Sequence, residues 1–376
     1  MELMEDGLSI ERHMFEKAAK TRTPIYGVLE LLPLCNMSCD MCYVRMSREE
    51  MERSGRLLTT EEWCALAEEM KDAGTLFVLM TGGEPLLYPG FKELYLKLRS
   101  LGMIITINTN GTLIDDEWAD FFAKHKPRRI NITLYGAGEE TYEKLCHLPG
   151  GFARTIAGIK RLKDRGVDVK MNGSLAKANV DERMQIIELG EQLGVPMHVD
   201  TYMYPRTRER SCGYKEQARL NPEEAADAGV EVLRREQGEE LFKRYAKQRL
   251  FEVEHVKEFG CTNKMSCKAG KSSYVINWKG NMIPCVMLDN PGASVQETGF
   301  AEGWKQITEG VERLCISDEC ASCKYKVVCN TCAAAALAET GKCDAVPDYI
   351  CRYTKRSMEH YEAYMRALKE NVGNDD

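Results

Sequence analysis

Six short apolar runs between residues 26 and 203, separated by amphipathic stretches, constrain this chain more than any other feature. They read "YGVLELLPL" (26–34), "TLFVLMT" (75–81), "MIITINT" (103–109), "INITLYG" (130–136), "VDVKMNGSL" (167–175) and "VPMHVDTYM" (195–203). The stretches between them carry helix signals. Thr59 with Glu62 makes a capping box for a helix that Gly74 ends, and Asn179 opens one that Gly194 closes. Strands alternating with helices imply parallel pairing through right-handed crossovers. Six units are too few for a closed eightfold barrel. The expected fold is therefore α/β, an open three-quarter (β/α)6 barrel of TIM-like design, with its chemistry where strands end and loops begin.

The barrel is placed at residues 25–220, after an N-terminal helical extension over 1–24. A helical bridge at 221–254 starts at Asn221-Pro222 with Glu224, and a small cysteine-rich domain follows at 255–355. Within it, "MSCKAGKSSYVINWKGNMIPC" reads as a hairpin turning at Lys279-Gly280. A polar amphipathic helix over 353–369 belongs to the C-terminal helix and tail, 356–376.

Sixteen cysteines are unusual for 376 residues. The first segment, "MELMEDGLSIERHMFEKAAK", lacks the apolar core of a secretory signal, so a cytoplasmic location is expected. Clustered cysteines there are metal or catalytic ligands more often than disulfides. No run of eighteen apolar residues marks a membrane span, and a net charge of −7 argues against a nucleic-acid surface despite "KPRR" at 126–129.

The first strand runs into "LLPLCNMSCDMCYV", in which Cys35, Cys39 and Cys42 are spaced C-x3-C-x2-C. Structural zinc closes with four ligands. Three thiolates on one short loop can instead hold an iron–sulfur cluster with one iron left open. Spacing alone leaves iron–sulfur, zinc and incidental clustering as readings. The second strand ends in "TGGEP", where two glycines allow close approach to the backbone and Glu84 can accept from an amine.

In this combination, residues 26–203 resemble the radical SAM enzymes. The resemblance implies a 4Fe-4S cluster on Cys35, Cys39 and Cys42, with S-adenosylmethionine on the open iron and its reductive cleavage to a 5′-deoxyadenosyl radical. It also implies cofactor contacts at Met41, Gly82, Gly83, Glu84, Thr133 and Met203. The arginine often found beyond the strand-four hydroxyl is absent. Leu145, Cys146 and His147 lie there instead, with Lys144 or Lys170 as substitutes, while Asn110 reads equally as a turn-former or a ligand.

The C-terminal cysteines resemble the SPASM extension of peptide- and protein-modifying members. Carried over, Cys261, Cys267, Cys285 and Cys332 hold one auxiliary 4Fe-4S cluster, and Cys320, Cys323, Cys329 and Cys351 hold a second. "CNTC" is one residue shorter than the family's usual spacing, and Cys343 falls in a polar turn outside the set. Cys64, Cys146, Cys212 and Cys315 read as structural.

The family implies a peptide or protein substrate, no catalytic residue fixed in advance, and an external one-electron donor such as flavodoxin or ferredoxin. Oxidative maturation of a ribosomally made peptide, by a thioether or carbon–carbon cross-link, is the first reading. Leader recognition is then expected from a separate protein, because 34 residues before Cys35 leave no room for a leader-binding domain. Formylglycine formation in sulfatases is the alternative, but Val286 stands where that subclass has an aspartate base, and Thr81 and Tyr135 also depart from its pattern. A non-catalytic iron–sulfur carrier or sensor is the third.

Overall fold

The computed structural model describes residues 10–205, 218–260 and 262–372. The six expected strands are β1 (Tyr26–Glu30), β2 (Phe77–Thr81), β3 (Ile104–Thr109), β4 (Arg129–Thr133), β5 (Val169–Ser174) and β6 (Met197–Asp200). Each pairs in parallel with the one before it, and among the described residues the sheet stops at β6 without closing. The open partial barrel read from the strand–helix alternation is the fold.

Outer helices bury one stripe each. In Thr60–Asp72 the stripe is Trp63, Leu66, Ala67 and Met70; in Phe91–Ser100 it is Phe91, Leu94, Tyr95 and Leu98. Both follow the i, i+3, i+4, i+7 spacing that turns one helix face to a sheet. The Thr59 hydroxyl accepts from the Glu62 N–H, and the Glu62 carboxylate accepts from the Thr59 N–H, which closes the capping box. Asn179 behaves differently. Its side chain makes no cap bond; it accepts from the Ala176 N–H and donates to the carbonyls of Tyr135 and Ser174, tying the loops after β4 and β5 together.

The C-terminal third enters the barrel sheet itself. Strand β7 (Ser273–Ile276) pairs in parallel with β1, and β8 (Asn281–Ile283) and β9 (Ala293–Ser294) extend the sheet antiparallel beyond it. A glycine makes the junction possible: a Cβ on Gly27 would lie 2.5 Å from the Tyr274 Oη. Tyr274 is fully buried there and its hydroxyl pairs with Thr75 Oγ1 at 2.8 Å, so its polar tip is satisfied inside the core.

The bridge is two helices, Pro222–Gln237 and Glu239–Glu254, because Gly238 at φ 74° breaks the run. The last helix, Asp348–Val372, starts earlier than its amphipathic pattern suggests and takes Cys351 into its first turn. Among the described residues no helix is long and apolar enough to cross a membrane.

Candidate active site

The strand ends converge on a cavity of about 640 Å³. The last residues of β2 to β6, namely Thr81, Thr109, Thr133, Ser174 and Asp200, all line it. So do Cys35, Cys39 and Cys42 from the loop after β1, and Met41, Gly82, Gly83 and Met203.

The cysteine loop is clamped from three sides. Backbone N–H groups already point at sulfur: Met37 N donates to Cys35 Sγ at 3.4 Å and Arg45 N to Cys42 Sγ at 3.2 Å. Asn110 donates to Cys35 Sγ at 3.7 Å and to Asn36 Oδ1 at 2.8 Å, while its own Oδ1 accepts from Thr112. The open carbonyls at the C-terminal end of the helix Glu139–Cys146 supply the third side. Cys146 O accepts from Ser38 N at 2.9 Å and Leu145 O from Asp40 N at 3.1 Å. His147, left-handed at φ 52°, sets its Nε2 2.6 Å from Asp40 Oδ1. The stretch 145–147, where the expected arginine is missing, thus holds the cysteine loop. Lys144 is exposed and Lys170 half-buried, and neither lines the cavity, so neither takes the arginine's place. Cys146 is buried and hydrogen-bonded to the Cys39 thiol, a closer relation to the site than a merely structural cysteine has.

Glu84 sits behind the wall. It is fully buried and is not among the cavity-lining residues. Its carboxylate accepts from Thr109 Oγ1 at 2.7 Å, Asn110 N at 2.8 Å and Leu86 N at 3.1 Å. Three internal donors take three of its roughly four acceptor sites, so it staples the loop after β2 to the loop after β3. Burial pushes its pKa up to about 7 against the pull of those donors. Gly82 and Gly83 line the wall and pack on the backbone of the loop after β1: a Cβ would meet Leu32 O at 2.5 Å and Leu34 O at 2.3 Å respectively.

The cysteine-rich segment contributes Val286, Met287 and Asn330 to the lining, next in sequence to Cys285 and Cys329. Cys267, Cys285 and Cys332 lie within electrostatic reach of Tyr204, another lining residue. Cys261 lies outside the described residues, as does Cys212. Cys320, Cys323, Cys329 and Cys351 form a second neighbourhood. Cys343 packs on the same apolar residues as Cys285 and Cys332. Cys64 and Cys315 are half-buried, and Lys264 donates to the Cys315 sulfur.

Among the described residues, no three His, Cys, Asp or Glu side chains converge on one ion position. N–H donors aimed at sulfur recur at Cys285 (from Met287), Cys323 (from Tyr325) and Cys332 (from Ala335), and such bonds favour the thiolate. Without a cation, burial pushes Cys35 up to about 12 and Cys351 to about 11; its bond to Cys146, then burial, pushes Cys39 up further. Iron loading therefore releases protons.

Residues 29–190 match the family model described as the radical SAM superfamily. The chain carries a radical SAM domain. S-adenosylmethionine and a 4Fe-4S cluster go with that domain, and Cys35, Cys39 and Cys42 fall within the matched residues and line the cavity. Across its length the chain is 27% identical to AdoMet-dependent heme synthase of Methanosarcina barkeri, covering 86% of this chain and 95% of that one. It is 24% identical to PqqA peptide cyclase of Gluconobacter oxydans, covering 93% and 94%. The solved structure of native anSMEcpe with bound AdoMet and Kp18Cys peptide shares the fold, with a TM-score of 0.67 at 17% identity over 93% of this chain and 99% of that one.

Sequence reasoning passed over Asp200 and Tyr204, which line the cavity, and the contact between Cys146 and Cys39. Asp200 carried a signal, since it ends a strand on the side where barrel chemistry lies. The other two are matters of tertiary packing.

Proposed function

We propose that this radical SAM enzyme oxidises a ribosomally made peptide, forming a cross-link within it. The observation that carries the reading is that both cysteine fields contribute to one cavity. Cys35, Cys39 and Cys42 line it, and so do Val286, Met287 and Asn330, next in sequence to auxiliary-field cysteines. A substrate there has a source of hydrogen abstraction and a sink for the leftover electron at hand.

Each part of the wall then has a task. Cys35, Cys39 and Cys42 hold the 4Fe-4S cluster, and Met41, Gly82, Gly83, Thr133 and Met203 cradle S-adenosylmethionine. When bound, this pair supplies the hydrogen-abstracting radical. Glu84 and Asn110 keep the two loops in register. Cys261, Cys267, Cys285 and Cys332 on one side, and Cys320, Cys323, Cys329 and Cys351 on the other, hold two auxiliary clusters. Neutral amides and hydroxyls on the wall (Asn108, Asn330, Ser174) suit peptide groups, and the apolar side chains exclude water.

The near full-length similarity to a heme synthase supports a second reading, a porphyrin substrate. Its carboxylates would call for Lys or Arg partners. Formylglycine formation fits less well, because Val286 on the wall cannot accept a proton.

The test is anaerobic turnover with reduced flavodoxin, S-adenosylmethionine and peptides encoded beside the gene, read by mass spectrometry. A loss of about two mass units per modification is expected, since a hydrogen atom, an electron and a proton leave. Decarboxylation of a porphyrin, or formylglycine on a sulfatase peptide, with every neighbour peptide unchanged, would overturn it.

A further inference from the structure

A peptide cross-link removes a proton as well as a hydrogen atom and an electron, and that proton needs an acceptor. Among the described residues of the cavity wall, Asp200 is the one charged side chain. It ends β6, the edge strand, and shares one face of it with His198 two residues earlier. His198 Nε2 lies 3.3 Å from Asp200 Oδ1, and its Nδ1 lies 3.4 Å from Glu236 Oε2. Glu236 in turn accepts from Val199 N at 2.9 Å, which fixes it against the strand edge. An imidazole with a carboxylate at each nitrogen has both positions set for donation.

Asp200 also borders a second cavity of about 230 Å³, between β6 and the helices Pro222–Gln237, Glu239–Glu254 and Asp348–Val372. The two cavities share Asp200, Tyr202 and Asn330. His198 and Glu236 face this second space, as do Tyr245, Arg249, Tyr353 and Tyr361. Asp200 is thus the one carboxylate common to the two cavities, and 62% of its side chain is exposed to solvent.

We propose that Asp200 is the base of the oxidation, with His198 as its positioning residue and the second cavity as the outlet for the proton. This rests on the peptide-oxidation reading above. The step balances as follows. One hydrogen atom leaves a substrate C–H bond for the radical that the bound cofactor supplies. The carbon left behind bonds to a second substrate atom that carries a hydrogen, such as a cysteine sulfur. That atom's proton goes to the Asp200 carboxylate, and the remaining electron would be taken up by a one-electron acceptor of the iron–sulfur class that the C-terminal cysteines would hold. His198, hydrogen-bonded to both carboxylates, aims the Asp200 oxygen and stays charged; burial works against that state, but the two carboxylates outweigh it.

The experiment compares reconstituted wild type with Asp200→Asn, His198→Leu and His198→Gln, measuring cross-linked peptide formed per 5′-deoxyadenosine. Positioned bases contribute about 10²–10⁴-fold, so Asp200→Asn should lower that ratio by about 10²-fold or more. His198→Leu should lower it too, while His198→Gln, which keeps an N–H donor toward Asp200, should recover most of it. A merely structural role for His198 would lower stability without separating cofactor cleavage from product. If wild type cross-links its peptide and Asp200→Asn does so at the same ratio, the role of Asp200 falls and the peptide reading stands. If wild type forms 5′-deoxyadenosine but oxidises no peptide, the reading itself falls, and this inference with it.

Discussion

Gly83→Ala tests whether the glycines after β2 serve the cofactor alone or the frame as well. A methyl at Gly83 would lie 2.3 Å from Leu34 O and 2.6 Å from Leu34 C, both backbone atoms one residue before Cys35. Neighbours so close must separate by about 1 Å, and overpacking of this kind costs about 1–3 kcal/mol. Two hydrogen bonds cross the same junction: Gly83 N to Leu32 O at 2.8 Å and Glu84 N to Leu34 O at 2.9 Å. Weakening both adds about 1–2 kcal/mol at the usual net worth of such bonds. The expected total is about 2–5 kcal/mol, together with a displaced Cys35. Gly138→Ala is the control, because its Cβ would meet nothing within 4 Å and its φ of −155° suits any residue. Urea denaturation of the cluster-free proteins reads the stability, and iron per chain after reconstitution reads the geometry. A Gly83→Ala protein as stable as Gly138→Ala, with unchanged iron, would refute the packing argument.

Four further outcomes follow from the same structure. Protein reconstituted without oxygen should bind about twelve irons if all three clusters are of the four-iron type. Replacing Cys35, Cys39 and Cys42 by Ala should remove about a third of them and abolish cofactor cleavage. Cys351→Ala should lower iron while Cys343→Ala leaves it unchanged; the reverse would reassign the ligand. Arg219, with 1% of its side chain exposed, pairs with Glu339 at 2.8 Å and stacks 3.6 Å over Tyr349. Glu339→Ala should therefore cost about 3–5 kcal/mol by leaving a buried charge unpaired, more than Arg219→Met does; equal losses would count against it. Hydrogen bonds to Asp200, then Glu236, raise the His198 pKa from 6.5 to about 9. Its stabilisation is thus complete below about pH 6.5 and fades as pH rises through about 9. The urea-midpoint gap between wild type and His198→Gln should close over that range; because the His198 side chain is 37% exposed, solvent screening should keep it to about 1–2 kcal/mol. A gap independent of pH would refute the pairing.

The local frame was legible in residue order. Apolar runs of strand length, the Thr59–Glu62 capping box, the Asn221-Pro222 start and the C-x3-C-x2-C and "TGGEP" motifs depend on contacts within a few residues. Strand alternation pointed to the ends that carry the chemistry, and the resemblance to radical SAM enzymes was what singled out Met41, Gly82, Gly83, Thr133 and Met203 there. The partners of Glu84 were not legible: Thr109 and Asn110 lie 25 and 26 residues away, and only the packing of β2 against β3 brings their donors to its oxygens.

What tertiary structure alone decided involves long separations and chemistry that residue type does not reveal. Tyr274 reaches back to Gly27 and Thr75, which draws the cysteine-rich segment into the barrel sheet and makes it a wall of the cavity. Cys146 looked structural until its helix end was seen holding the Cys35–Cys42 loop. Asp200 looked like any strand-end acid until the cavity placed it alone among uncharged neighbours, with His198 and Glu236 behind it. A motif states which atoms are available; their environment, set by residues far along the chain, determines what those atoms can do.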